Sequence, residues 1–150
     1  RGLGDVYKRQ AYGLASLRVG YGLSTPVVAD VLNRVRQPFN VNSLALAAAC
    51  AAGKDAEKLE EGRRLNESGM LQLQEGFREL GLGWIPSKGN FICVDLGQVA
   101  APVFQGLLRE GVIVRPVANY GMPNHLRITI GLPAENSRFL EALAKVLARG

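Results

Sequence analysis

Four side chains stand out for the chemistry they could do. Arg18 follows a Gly-Leu-Ala-Ser-Leu stretch whose small residues would let a ligand approach, and its guanidinium could grip a phosphate. An ordinary surface arginine fits that spacing equally well. Arg127 lies in an alternating segment, LRITI, on the side opposite Leu126, Ile128 and Ile130. It would serve as a fork for a carboxylate, or stand as a solvated side chain. Arg115, in VIVRPV, offers the same two readings where a strand gives way to a loop. Taken alone, such arginines are more often surface than site. Asn90 follows a turn glycine and could either meet a ligand or satisfy the turn. Tyr120 and His125, in the loop after Arg115, could line a pocket or pack over it.

Other chemistries lack their residues. No Ser-His-Asp set or carboxylate pair stands out. A single histidine and two cysteines without CxxC spacing argue against a metal site. Cys50 sits among alanines and Cys93 in an apolar strand pattern, so both are expected to be buried structural thiols. The net charge of +5 comes without a basic run interleaved with aromatics, which disfavours nucleic acid and suits small anions. Hydrophobic content of 47% against 21% charged is that of a globular domain. No segment approaches the about 18 apolar residues of a membrane span, and Arg1–Gln10 has no apolar core of a signal peptide. The expectation is a cytoplasmic protein without a membrane partner.

These side chains need elements to hold them. LRVGYGL, residues 17–23, reads as a short strand running into a turn. Ser24-Thr25-Pro26 is a helix start, with a hydroxyl cap and proline in the first turn. Val27, Val28, Val31, Leu32 and Val35 recur at helical spacing until Pro38. A second helix is capped at 40–42 and runs to Ala52. A third spans about 55–80, with Leu59, Met70, Leu73 and Phe77 on one stripe and Gly81 as its stop. Strands follow at 83–85 and 90–96, then a helix over 101–110, strands at 112–117 and 126–132 around the loop 118–125, and a last helix over 134–148. Residues before Gly53 are too few to close a core. Those after it could form a strand-rich layer covered by helices on one face.

Five segments in order resemble one family: "AYGLASLRVGYGLS", "RQPFNVNSLALAAA", "GNFICVDL", "GVIVRPVANYG" and "LRITIGLPAEN". Together they are similar to the C-terminal part of histidinol-phosphate aminotransferases, class I/II pyridoxal-phosphate enzymes of the aspartate-aminotransferase-like fold. The resemblance covers Ala11 to Gly150. It implies an α/β fold in which residues 11–53 end a large cofactor-binding domain. Residues 54–150 then form a small domain with a mostly antiparallel sheet.

The resemblance also implies a reaction: histidinol phosphate and 2-oxoglutarate exchanged for imidazole-acetol phosphate and glutamate, in histidine biosynthesis. Pyridoxal 5'-phosphate is the implied cofactor, amino acids and 2-oxo acids the substrates, and a homodimer the assembly. An aromatic-amino-acid aminotransferase or a threonine-phosphate decarboxylase of the same fold is the alternative, and a non-catalytic α/β module is another. Arg18 matches the arginine that pairs with the cofactor phosphate. Arg127 matches the one that holds the substrate α-carboxylate, and Arg115 a position associated with the distal phosphate. Asn90 precedes the strand that borders the substrate.

One departure matters. The family pattern around its Schiff-base lysine runs Thr-x-Ser-Lys-Ala-Tyr-Gly-Leu-x-Ser/Gly-Leu-Arg. Here Tyr7, Arg9 and Gln10 stand in the threonine, serine and lysine slots, and Lys8 comes two residues early. Residues 1–10 therefore read as a non-native leader joined to a family segment, expected to pack poorly. No residue of this chain fills the catalytic slot. The aspartate that pairs with the pyridine nitrogen and the residues that stack on the ring are expected to precede this segment.

Overall fold

A computed structural model describes residues 14–20 and 22–149. The expectation for Arg1–Gln10 lies outside the described residues. The chain divides into two compact units, residues 1–63 and 64–150.

In the first unit, a 3-10 turn at Ala15–Leu17 leads to Arg18 in the left-handed region, φ 56. Among the described residues of 17–23 the expected strand is not formed, and only Leu23 makes an isolated bridge. Two glycines in seven residues leave too few side chains to pack a pleated face. Helix α1 spans Pro26–Val35, with proline at its start as expected. Its hydroxyl cap is not made: Thr25 makes no side-chain cap hydrogen bond, and Ser24 Oγ donates to the Thr25 carbonyl instead. Helix α2 spans Ser43–Ala52, and its cap is as read, with Asn42 Oδ1 accepting from Ala45 N at 2.8 Å. Ala45 is fully buried, whereas Val27, Val31 and Val35 of α1 are exposed, as is Cys50. The alanines around Cys50 gave no sign of this, because a helix of alanine has no polar face to reveal which side is covered.

The second unit is built on a four-stranded antiparallel sheet in the order β1-β2-β4-β3. The strands are β1 (Gly83–Ile85), β2 (Phe91–Asp95), β3 (Arg115–Pro116) and β4 (His125–Thr129). Helix α3 (Ala56–Glu79) precedes the sheet, α4 (Ala100–Arg109) joins β2 to β3, and α5 (Pro133–Leu147) follows β4. Strand alternation does the sorting. Ile92 and Val94 of β2, with Leu126 and Ile128 of β4, are buried on one face. There they pack with Leu73 and Phe77 of α3, Leu107 of α4, and Phe139 and Leu143 of α5. The apolar stripe of α3 lies where its period places it, and the helix runs unbroken through Gly62 and Gly69.

Two glycines stop helices by taking positive φ. Gly81 (φ 69) ends α3, with Leu82 N donating to Phe77 O; Gly111 (φ 75) ends α4, with Val112 N donating to Leu107 O. The second of these shortens β3. The N–H of Val112 is spent on the helix end, which takes that residue out of the sheet, and pairing is seen at 115–116 rather than over the expected 112–117. His125, expected in the loop, opens β4 opposite Asp95.

Asn136 is the one buried polar residue among those described. It accepts from Gly131 N and donates to Gly131 O and Gln72 Oε1, so its amide is satisfied on both ends. Gly69 packs against this corner. A Cβ there would stand 2.5 Å from Ile130 Cγ2 and 3.0 Å from Asn136 Nδ2. Gly69→Ala is therefore expected to destabilise the chain. Helix propensity would favour the alanine by about 1 kcal/mol, but overpacking costs about 1–3 kcal/mol and strains the Asn136 network. Urea unfolding of the two proteins checks this; a higher midpoint for Gly69→Ala would contradict it.

Candidate functional site

The face of the sheet away from the helices carries the polar side chains. Register builds it. Ile85, Cys93, Arg127 and Arg115 form one row across β1, β2, β4 and β3, because each is the direct cross-strand partner of the next. Partners share a face. A second row pairs Asp95 with His125, and a third pairs Phe91 with Thr129.

Two cations thus stand opposite one another on β3 and β4. Like charges directly opposite are unfavourable, with Cβ atoms about 4.5–5.5 Å apart in such pairs. An anion between them removes that penalty. Arg115 is exposed, and its Nη2 donates to Tyr120 Oη at 3.4 Å. Tyr120 comes from the 3-10 turn Ala118–Tyr120 that follows β3. Arg127 is half-buried; its Nε is fully buried without a hydrogen-bond partner among the described residues. Its Cζ lies 5.0 Å from the Phe91 ring centroid. Across from it, burial pushes the Cys93 thiol up, and the Arg127 guanidinium offsets this only in part. The thiol therefore stays neutral near pH 7 and does not neutralise Arg127. At the end of the sheet, His125 Nε2 is 3.8 Å from Asp95 Oδ2, too long for a hydrogen bond.

The sheet thus brings Arg115 and Arg127 together. Asn90 sits half-buried at the β2 entrance, where its carbonyl accepts from Ile130 N at 2.9 Å. That bond ties the turn before β2 to the strand that carries Arg127. Arg18 is exposed in the other unit, at its left-handed turn. Phe91 is not among the sequence candidates, and Cys93 is read there only as a core thiol. The signal was there: alternation in FICVD sets both on the face opposite Ile92 and Val94. What the sequence could not supply was the register that puts them against Arg127. Cys93 is half-buried, not part of the core as expected, because it stands on this polar face.

The model of the aminotransferase class I and II family matches residues 10–143. The histidinol-phosphate aminotransferase 2 of Pseudomonas fluorescens (strain Pf0-1) is 89% identical over 141 residues, which are 94% of this chain and 38% of that protein. The histidinol-phosphate aminotransferase from Sinorhizobium meliloti, solved in complex with pyridoxal-5'-phosphate, superposes with a TM-score of 0.78 at 31% identity, over 93% of this chain and 39% of that one. The histidinol-phosphate aminotransferase from Clostridium acetobutylicum shares the fold, with a TM-score of 0.84 at 22% identity over 96% of this chain and 45% of that one. The chain thus spans about two fifths of the length of the proteins it matches. Its antiparallel sheet with helices on one face is the α/β arrangement expected of an aspartate-aminotransferase-like fold. With the family model matching residues 10–143, most of its length, this chain belongs to the aminotransferase class I and II family.

Proposed function

We propose that the full-length protein transfers an amino group from histidinol phosphate to 2-oxoglutarate, giving imidazole-acetol phosphate and glutamate. The carrying observation is the pair Arg115 and Arg127, in register on one face of the sheet. Both substrates present anions. Histidinol phosphate carries a phosphate, and 2-oxoglutarate carries carboxylates. A guanidinium meets either group bidentately through parallel N–H donors, which lysine does not match. In this reading Arg127 holds the substrate α-carboxylate and Arg115 serves the distal phosphate. Asn90 fixes the strand entrance beside them. The partial burial of Arg127 lowers the local dielectric and strengthens its grip.

Pyridoxal phosphate, when bound, supplies the electron sink for the bond-breaking step. Of the groups in this chain, Arg18 fits one end of it. Its exposed five-donor fork, at a turn after small residues, suits a phosphate dianion. The other end is not fitted. Gln10 offers an amide whose nitrogen lone pair is delocalised and not nucleophilic, so no step is assigned to this chain there. In this reading residues 11–53 end a large domain, residues 54–150 form the small one, the enzyme is a cytoplasmic homodimer, and the chain by itself is inactive.

The test is a substrate panel on the full-length protein. Histidinol phosphate should give a kcat/KM at least about a hundredfold above those of phenylalanine and tyrosine, since neither carries a phosphate and both leave Arg115 unpaired. Preferred turnover of an aromatic amino acid, or carbon dioxide release from threonine phosphate, would assign the protein to another activity on this fold.

A further inference from the structure

We propose that Phe91 is a positioning residue for Arg127, holding the guanidinium by a ring face. The proposal rests on the reading of Arg127 as the group that binds the substrate anion. A partly buried cation needs something to fix it, and a carboxylate is the usual partner. Among the described residues no carboxylate pairs with Arg127, and its buried Nε has no acceptor. What it has is the Phe91 ring, 5.0 Å from Cζ. That lies inside the about 6 Å range of a cation–π contact.

The register explains why the two meet. Phe91 pairs with Thr129, and Arg127 pairs with Cys93, so the two are diagonal neighbours on adjacent strands. Diagonal positions are within reach of aromatic and long side chains. The other neighbours in the row do not attract the cation. Cys93 is held neutral by burial, and Arg115 carries the same charge.

The choice of a ring has a chemical consequence. A carboxylate would take up the edge of the guanidinium, where its N–H donors lie in plane, and would compete with the substrate anion. A ring takes up only the face. The donors stay uncommitted while the group is still oriented, so less freedom is lost when an anion arrives.

The test uses the full-length enzyme, with succinate as a non-reacting dicarboxylate and cofactor absorbance as the readout. Phe91→Leu keeps an apolar side chain and removes the ring; Phe91→Tyr keeps the ring. Phe91→Leu should raise the succinate Kd about five- to tenfold and move KM for 2-oxoglutarate more than kcat, whereas Phe91→Tyr should restore both. In an Arg127→Gln background, Phe91→Leu should change Kd no further. Phe91→Met carries the same expectation if Phe91→Leu does not accumulate. An equal effect of Phe91→Leu in both backgrounds would overturn the proposal. So would an unchanged Kd in Phe91→Leu alongside a weakened Arg127→Gln, which leaves the role of Arg127 intact. If Arg127→Gln alone leaves the succinate Kd unchanged, the role of Arg127 itself is wrong and the proposal goes with it.

Discussion

Reduced with borohydride after incubation with pyridoxal phosphate, the 150-residue chain should yield no stoichiometric, site-specific pyridoxyl-lysine, and it should show no transaminase turnover. The reason is a single position. The family pattern places the amine that bonds the cofactor where this chain has Gln10. An amide cannot substitute, because its nitrogen lone pair is shared with the carbonyl. Lys8 is two residues away, and in an extended segment that is a displacement of about 6–7 Å. Covalent chemistry of this kind tolerates far less, since a misplacement of about 1 Å already costs about a hundredfold. Lysines elsewhere, such as Lys54 or Lys145, should react only sparsely and without selectivity. Peptide mapping of the reduced protein reads the outcome. A single adduct at Lys8, accompanied by turnover, would overturn the account of position 10.

The second large effect separates the two arginine roles. In the full-length protein, Arg127→Lys should weaken substrate affinity by about ten- to a hundredfold and leave the cofactor bound. Hydrogen bonds to charged groups contribute about 1.5–3 kcal/mol each, and about 1.4 kcal/mol is one decade. Lysine keeps the charge and loses the fork. Arg18→Ala should do the reverse, releasing the cofactor first and disturbing substrate affinity less. Cofactor absorbance and substrate Kd, measured separately on both variants, decide it. Loss of cofactor from Arg127→Lys with substrate binding intact would show the roles to be assigned wrongly.

Much of the second unit could be read before any coordinates. LRITI alternates cleanly, and β4 buries Leu126 and Ile128 while turning Arg127 the other way. The Met70, Leu73, Phe77 stripe placed the packed face of α3, and the helix-stop glycines at 81 and 111 were legible because both need positive φ. The misreadings have different causes, some local and some set by partners distant in sequence. Residues 112–117 have strand composition, but the N–H of Val112 is claimed by the end of α4. Cys50 looked buried on local composition alone. Arg115 and Arg127 were both found as candidates, yet nothing in the sequence said that they stand opposite each other, or that Phe91 lies under one of them. Register decides that, and it is fixed by the whole sheet rather than by either strand.

The central claim is that the face carrying Arg115 and Arg127 is where the substrate anion is bound. A crystal structure of the full-length enzyme with histidinol phosphate or glutamate bound tests it most directly. The expected result is a phosphate or carboxylate oxygen at about 2.7–2.9 Å from the Arg127 guanidinium nitrogens, with Arg127 Cζ still over the Phe91 ring. A substrate whose anions are all held by other residues, with Arg127 turned to solvent, would contradict it.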